Sequence, residues 1–364
     1  MDEARFLRLI SRPDPTFDER VMRGVLRGAS EMYSVVARAR NLLFDYGVCR
    51  SHPVAVPVIS IGNLTTGGTG KTPLVAYVIE WFKQRGLQVG IVSRGYRSIG
   101  DRNDEKLVLA RLCPETPHVQ DRDRIAAIQR LLVEQRVTAI VADDAFQHRR
   151  LRRDLDVVLV DALNPWGYGY LLPRGLLRES QASLRRAGLV IMTRANQVDI
   201  ATRSAIWDEV RRWRPDTEPV EIAFDAGCLK HRDSAGEQAI ALDSEWARSQ
   251  SFFAFCGIGN PAAFDATLRQ SGLRIVGIRT FSDHHHYAER DLTELQQAAE
   301  RTIATALVAT LKDVVKLPSD NIGGHPVWFV DIAARVMTGQ VVLDAALEKI
   351  AAINGSADSQ REAS

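Results

Sequence analysis

The segment VPVISIGNLTTGGTGKTP, residues 56–73, carries the strongest local chemical signal in the chain. A β-rich run feeds a turn containing Gly67, Gly68 and Gly70, and Lys71-Thr72 opens a helix-like stretch. Small residues let successive backbone N–H groups curl around phosphate oxygens. A lysine at this spacing reaches the β- and γ-phosphates, and the following hydroxyl can ligate Mg²⁺. The spacing therefore predicts that Thr65, Thr66, Gly67, Gly68, Thr69, Gly70, Lys71 and Thr72 bind a nucleoside triphosphate. The usual G-x-x-x-x-G-K-[ST] pattern wants glycine at position 65, where this chain has Thr65, and Gly67 and Gly68 compensate. The competing reading is a glycine-rich connector with a chance lysine. A strand before and a helix after favour the phosphate loop.

A phosphate loop needs a metal partner. The apolar run 137–142 ends in Asp143-Asp144, an acidic pair at the carboxyl end of a predicted strand. With Thr72 they form the expected Mg²⁺ side, although adjacent aspartates also commonly cap a turn. Gln147 and His148, just beyond, are placed to present polar groups over the same site. Asp283-His284-His285-His286 follows another predicted strand, where a site loop belongs. A transition-metal site there lacks a nearby cysteine or second histidine pair, and packing is the plain alternative for some of these histidines. The basic run Arg149, Arg150, Arg152 and Arg153 reads either as a solvated turn or as a contact for anionic headgroups or a substrate phosphate. Trp166, Tyr168 and Tyr170 read equally as a hydrophobic lid or as a platform for sugar and acyl chain.

The elements needed to position these groups alternate along the chain. Strands are expected at 55–61, 88–93, 137–142, 156–161, 188–193 and 219–224, with helices at 72–84, 122–134 and 201–212. Such alternation implies βαβ units and a mostly parallel sheet with helices on both faces. A second series starts near Ser251, with strands at 251–256, 274–279, 305–308 and 327–330 and helices at 261–270, 289–302 and 339–351. The expected organisation is an N-terminal amphipathic helix within 1–50, a nucleotide-binding core at 51–226 and a polar, irregular linker at 227–250. A second α/β lobe at 251–353 and a disordered tail at 354–364 complete it. In the N-terminal helix, 17–46, Val21, Val25, Ala29, Met32, Tyr33, Val36 and Leu43 recur at helical spacing. Arg20, Arg23, Arg27, Arg38 and Arg40 lie on the other side. Such a helix either packs on its own domain or lies on an anionic membrane surface.

The 364 residues, 45% hydrophobic and 25% charged, describe a globular protein with a real core rather than a disordered chain. A net charge of +2 gives no support to bulk nucleic-acid binding. No apolar stretch approaches the roughly 18 residues of a spanning helix, and MDEARFLRL does not read as a secretory signal. The four cysteines are dispersed without a C-x-x-C pair, which fits a reduced, cytoplasmic setting.

The sequence resembles the tetraacyldisaccharide 4'-kinase family of lipid A biosynthesis from about Ala39 to Asp331. The matching segments are ARNLLFDYG, VPVISIGNLTTGGTGKTP, SRGY, DDAFQHRRLRRD, GYGYLLPRGLLRE, FCGIGNP, FSDHHHY and LKDVVKL, in family order. The resemblance implies an α/β P-loop kinase with a second small lobe and a membrane-associated N-terminal helix. It implies transfer of the γ-phosphoryl group of ATP, with Mg²⁺, to the 4'-hydroxyl of a tetraacylated glucosamine disaccharide 1-phosphate. The location implied is peripheral, on the cytoplasmic face of the inner membrane, with a lipid substrate and no obligate protein partner.

Carried over residue by residue, Asp104 corresponds to the family's catalytic base and His284 to its histidine partner. Here Asn103 and Lys106 replace the glycine and proline that flank the family's acidic pair. Glu105, Arg124, Gln147, His148 and Arg178 become substrate- or phosphate-facing residues, and Ala145 replaces a usual glycine after the two aspartates. The chemistry is reasonable on its own terms: a sugar hydroxyl has a very high pKa, so phosphoryl transfer gains from a group that accepts its proton late. Without the family, Asp104-Glu105 reads as readily as a solvated acidic turn. Two other classes compete: a P-loop ATPase or GTPase switch, and a non-catalytic nucleotide-dependent membrane-binding module. The chain has no Asn-Lys-x-Asp segment for guanine, and a membrane module leaves Gly70-Lys71-Thr72 without purpose.

Overall fold

The structure, a computed structural model, describes residues 3–95, 104–233, 236–259, 261–283 and 285–361. In chain order the elements begin with α1 (Glu3–Ser11), α2 (Phe17–Asp45), β1 (Val58–Asn63), α3 (Lys71–Lys83), β2 (Val89–Ser93), α4 (Asp104–Leu112) and β3 (His118–Gln120). They continue with α5 (Arg124–Glu134), β4 (Ala139–Asp143), β5 (Leu155–Asp161), β6 (Leu189–Thr193), α6 (Ile200–Trp213), β7 (Glu221–Asp233) and β8 (Gly236–Ala241). The remainder is α7 (Glu245–Ser249), β9 (Ser251–Cys256), α8 (Pro261–Gln270), β10 (Arg274–Thr280), α9 (Glu289–Arg301), β11 (Ala306–Ala309), α10 (Leu311–Val314), β12 (Asn321–Ile322), β13 (His325–Thr338) and α11 (Gln340–Arg361).

These elements form two compact units. Among the described residues, the first spans 3–95, 115–223 and 335–361, and the second spans 104–114 and 224–334. Strands of the first unit lie in the order β3-β2-β4-β1-β5-β6-β7, and every pairing among them is parallel. The residues of β1, VISIGN, are buried throughout, as expected of a central strand covered on both faces. The chain leaves β1 for β2 on one side and returns to β5 on the other, so β1 lies at a switch point, where ligands bind beyond the strand ends. One hydrophobic cluster of this unit gathers Phe146, Val158, Val190, Trp207 and Val210, and another gathers Val58, Ile128, Leu131 and Ile140.

In the second unit β10, β9, β11 and β13 pair in parallel, while β8 runs antiparallel to β7. Phe252, Leu268 and Trp328 pack in one of its clusters, and Phe255, Leu295 and Phe329 in another.

Several expectations change. The polar segment expected as an irregular linker forms the β7–β8 hairpin, in which Cys228 pairs with Ala241 and Asp233 with Gly236. Its exposed face is polar, and the backbone ladder between the two strands supplies the order that hydrophobic alternation does not. The helix expected to stop at 351 continues to Arg361, into the segment expected to be a disordered tail. Residues 104–114, expected within the nucleotide core, belong to the second unit, and 335–353 belong to the first.

Helix α2 matches its expected span and starts at a capping box, where Glu19 N–H donates to the Thr16 hydroxyl and Thr16 N–H donates to the Glu19 carboxylate. Its orientation is the reverse of an ordinary surface helix. Its two buried residues are polar, Ser30 and Ser34, beside half-buried Leu26, Ala37 and Phe44; the Ser30 hydroxyl donates to the Leu171 carbonyl, and Asn41 donates to Glu179. Other apolar residues face out, with Val25 65%, Met32 74% and Val36 66% exposed.

Gly62 sits beside the turn that follows β4. A Cβ there would lie 2.7 Å from Phe146 Cβ and 3.1 Å from its backbone nitrogen, and neither can swing away. Gly62→Ala is expected to cost about 1–3 kcal/mol by overpacking. The check is a thermal melt, in which the midpoint falls by several degrees; an unchanged midpoint would show that the turn yields freely.

Candidate active site

The loop after β1 is set by bonds to its carbonyls. Thr193 Oγ1 donates to the Thr69 carbonyl at 2.9 Å, Arg194 donates to the Gly68 carbonyl at 2.7 Å, and Arg178 Nε donates to the Thr65 carbonyl at 3.1 Å. In a trans peptide C=O and N–H point in opposite directions, so fixing the Thr69 carbonyl turns the Gly70 N–H the other way. Thr66 N–H is bound to the Leu176 carbonyl at 2.7 Å, which anchors the start of the loop to the GYGYLLPRGLLRE segment. Gly67 and Gly70 take φ of 108° and 87°, a region that disfavours side chains. Gly70 is also the N-cap of α3, and Lys71 and Thr72 form the first turn. The Thr69 hydroxyl is buried without a hydrogen-bond partner among the described residues.

Lys71, Asp144, Gln147 and Arg178 converge on Asn63, the last residue of β1. Lys71 Nζ donates to Asn63 Oδ1 at 3.1 Å and lies 3.5 Å from Asp144 Oδ1. Arg178 donates to Asp144 Oδ2 at 2.8 Å and to Asn63 Oδ1 at 3.1 Å, and Gln147 donates to the Asn63 carbonyl at 2.9 Å. Burial pushes the Asp144 carboxyl up, but Lys71 and Arg178 outweigh it and hold the pKa down at about 2. Asp144 adopts φ of 50°, a strained conformation that aspartate tolerates better than most residues, and its N–H bonds the Ile61 carbonyl. Asp143 is buried at the end of β4, in register with Ile61 of β1.

Arg124, 2% exposed, opens α5 behind its N-cap Asp123 and adds positive charge to the surroundings of Asp144. His148 is half-buried. Desolvation, then the positive charge of Arg124, pulls its pKa down to about 4, so the imidazole is neutral at pH 7. Its Nε2 is buried with no hydrogen-bond partner among the described residues.

In the second unit, Asp104 and Glu105 open α4, where sequence reasoning without the family gives a solvated turn. Asp104 Oδ2 lies 3.8 Å from Lys316 Nζ. His284 lies outside the described residues. The arginine run divides. Arg153 forms a fork to Asp156 at 3.1 and 2.9 Å, and Arg149 pairs with Asp45 at 2.7 Å, so both are structural; Arg150 and Arg152 are exposed. Trp166 packs against a core cluster, and Tyr170 carries the Arg174 guanidinium over its ring.

Sequence reasoning missed Asn63, Thr193 and Arg194. Asn63 and Thr193 each close an apolar strand whose other residues are buried, and a polar residue at that point is the available signal. Arg194 is anchored by an ion pair with Asp161, at the end of β5.

A glycine-rich loop passing from a central parallel strand into a helix, with a lysine and an acidic residue at the end of the neighbouring strand, defines an α/β phosphate-loop nucleotide-binding protein. The sequence profile of tetraacyldisaccharide-1-P 4'-kinases matches residues 22–352, and the chain belongs to that family of kinases. It is similar to the tetraacyldisaccharide 4'-kinase of Anaeromyxobacter sp. (strain Fw109-5), at 36% identity over 91% of this chain and 93% of that protein. The corresponding protein of Syntrophus aciditrophicus is 32% identical over 91% of this chain and 94% of its own length. LpxK from Aquifex aeolicus, solved in complex with ATP, has the same fold at 24% identity, with a TM-score of 0.71 over 90% of this chain and 99% of that one.

Because the folded Asp144 pKa lies below its ordinary value of 3.8, its pairing stabilises the protein above that value and is lost as pH falls through about 2. The effect is worth about 2 kcal/mol. Arg178→Ala removes one of the two cations, and acid unfolding followed by circular dichroism is expected to begin at a higher pH.

Proposed function

We propose that this kinase transfers the γ-phosphoryl group of ATP to the 4'-hydroxyl of tetraacyldisaccharide 1-phosphate, in lipid A biosynthesis. The observation that carries the phosphate side is the convergence of Lys71 and Arg178 on Asn63 and Asp144 beside the loop. Bound phosphates compete with Asp144 for both cations, so the carboxylate holds them in place until the nucleotide arrives. The amides of 65–72 and Lys71 then offset charge on the β- and γ-phosphates without reorganising.

The donor set suits Mg²⁺: the Thr72 hydroxyl and the Asp143 and Asp144 carboxylates are hard oxygen ligands on adjoining elements, and this ion takes few protein ligands beside phosphate and water. Bound there, the ion would neutralise phosphate charge. Asp104, assisted by His284, accepts the proton of the acceptor hydroxyl, with Glu105 beside it. Arg124, Gln147, neutral His148 and Arg178 order the substrate or its phosphates. A hydrolytic switch or a membrane module without chemistry gives the acceptor-side aspartate no task.

The acceptor's acyl chains favour a site at a bilayer surface, and α2 supplies a seat for it. No helix among the described residues is long and apolar enough to cross a membrane. With its polar stripe on the protein body and Val21, Val25, Met32, Val36 and Leu43 exposed, α2 is suited to lie on the headgroup layer, where Arg20 and Arg38, also exposed, meet anionic lipid. That reading puts the protein peripherally on the cytoplasmic face of the inner membrane.

Lys71→Ala is expected to weaken ATP binding and nearly abolish turnover with γ-labelled ATP and the tetraacyl disaccharide in micelles. Asp104→Ala should cut turnover by roughly 10²–10⁴-fold while leaving ATP affinity near the parent value. Retained turnover in Asp104→Ala would falsify the base assignment. For the membrane reading, Val25→Asp combined with Val36→Asp should abolish co-sedimentation with anionic vesicles and leave the melting midpoint unchanged, since both residues are exposed.

A further inference from the structure

Apart from His284, three segments of the second unit carry no role in the chemistry above: FCGIGNP at 255–261, FSDHHHY at 281–287 and LKDVVKL at 311–317. They meet at one carboxylate. Asp313 is fully buried, and its Oδ1 accepts from Gly257 N–H at 3.0 Å and from the Tyr287 hydroxyl at 2.9 Å. Its Oδ2 accepts from the Thr310 hydroxyl at 2.6 Å, and Lys316 Nζ lies 3.4 Å from Oδ1. Burial, reinforced by the negative charge of Asp313, raises the Tyr287 pKa and keeps its hydroxyl a donor.

Lys316 is held on several sides. Its side chain is 4% exposed, and its ammonium lies 5.6 Å from the Tyr287 ring centroid, 3.4 Å from Asp313 and 3.8 Å from Asp104. A buried ammonium is costly unless paired, so its position is set by the carboxylates around it. Asp313 is fixed by Gly257 and Tyr287 from two other segments and by Thr310 at the cap of its own helix, and is therefore the anchor, whereas Asp104 opens a helix. The cation between them transmits the geometry of the anchor to the acceptor-side aspartate.

We infer that Lys316, anchored by Asp313, is the positioning residue for Asp104. It orients the carboxylate that takes the acceptor's proton and touches neither ATP nor lipid itself. The inference rests on the reading of Asp104 as the base. It gives the LKDVVKL, FCGIGNP and FSDHHHY segments a shared purpose, namely to build a rigid mount for one carboxylate.

The test compares Lys316→Met, Lys316→Arg, Asp104→Ala and the Lys316→Met/Asp104→Ala double variant in the full chain. The readouts are turnover in lipid micelles, the KM for ATP and ATP affinity by direct binding. Lys316→Met should lower kcat roughly tenfold or more with the KM for ATP unchanged, and Lys316→Arg should restore most of the rate. In the Asp104→Ala background the Lys316→Met change should cost nothing further, because the residue it positions is gone. ATP affinity on the same samples reports folding, and Lys316→Gln replaces the methionine variant should that one fail to fold.

Parent-like turnover in Lys316→Met beside an inactive Asp104→Ala overturns the inference and leaves the base assignment standing. Lys316→Arg as slow as Lys316→Met, or a full further loss in the double variant, also overturns it, because either outcome marks a packing role. Parent-like turnover in Asp104→Ala removes the base assignment and this inference together.

Discussion

A carboxylate shared by two cations is the constraint on which the nucleotide side of this protein depends. Lys71 and Arg178 come from distant parts of the chain and carry like charge, so they would separate without an anion between them. Asp144 supplies that anion and Asn63 Oδ1 a neutral acceptor common to both. The arrangement is paid for locally by the left-handed backbone of Asp144, the kind of strain that folded proteins tolerate at functional positions. It leaves two cations concentrated at the end of β1, in positions that the fold itself fixes.

The backbone works in the same direction. Carbonyls of the 65–69 stretch are taken up by Arg178 and by the adjacent pair Thr193 and Arg194, all distant from the loop in sequence. Arg194 is in turn held by Asp161, whose pKa burial pushes up against the opposing charge of the arginine. The loop conformation is therefore imposed from outside rather than by its glycines alone. The glycines permit the curl, and the three donors select it from the many conformations that glycine allows.

Helix α2 departs from an ordinary folding rule. Buried polar groups need partners, and Ser30 and Asn41 find them on the protein body. The hydrophobic residues that would normally drive packing are left outside, which in water is unfavourable and at a bilayer surface is not. The Tyr33 hydroxyl bonds the Arg178 carbonyl, and Arg40 bonds that of Gln147, so the helix rests directly on residues that flank Asp144.

The sequence by itself determined the phosphate loop, the acidic residues at the end of β4, the alternating strands and helices and the span of α2. Each is written in local spacing, which backbone geometry converts directly into structure. Tertiary structure alone decided that Asn63 joins Lys71 to Arg178 across the first unit, that Thr193 and Arg194 hold the loop, and that Lys316 reaches Asp104. It also decided that residues 228–233 and 236–241 pair as antiparallel strands and that α2 leaves Val25, Met32 and Val36 exposed. These outcomes depend on which distant side chains share a small volume and on which face of a helix finds hydrogen-bond partners. Periodicity announces that a helix is amphipathic, but the burial of one face or the other is settled by what lies opposite it.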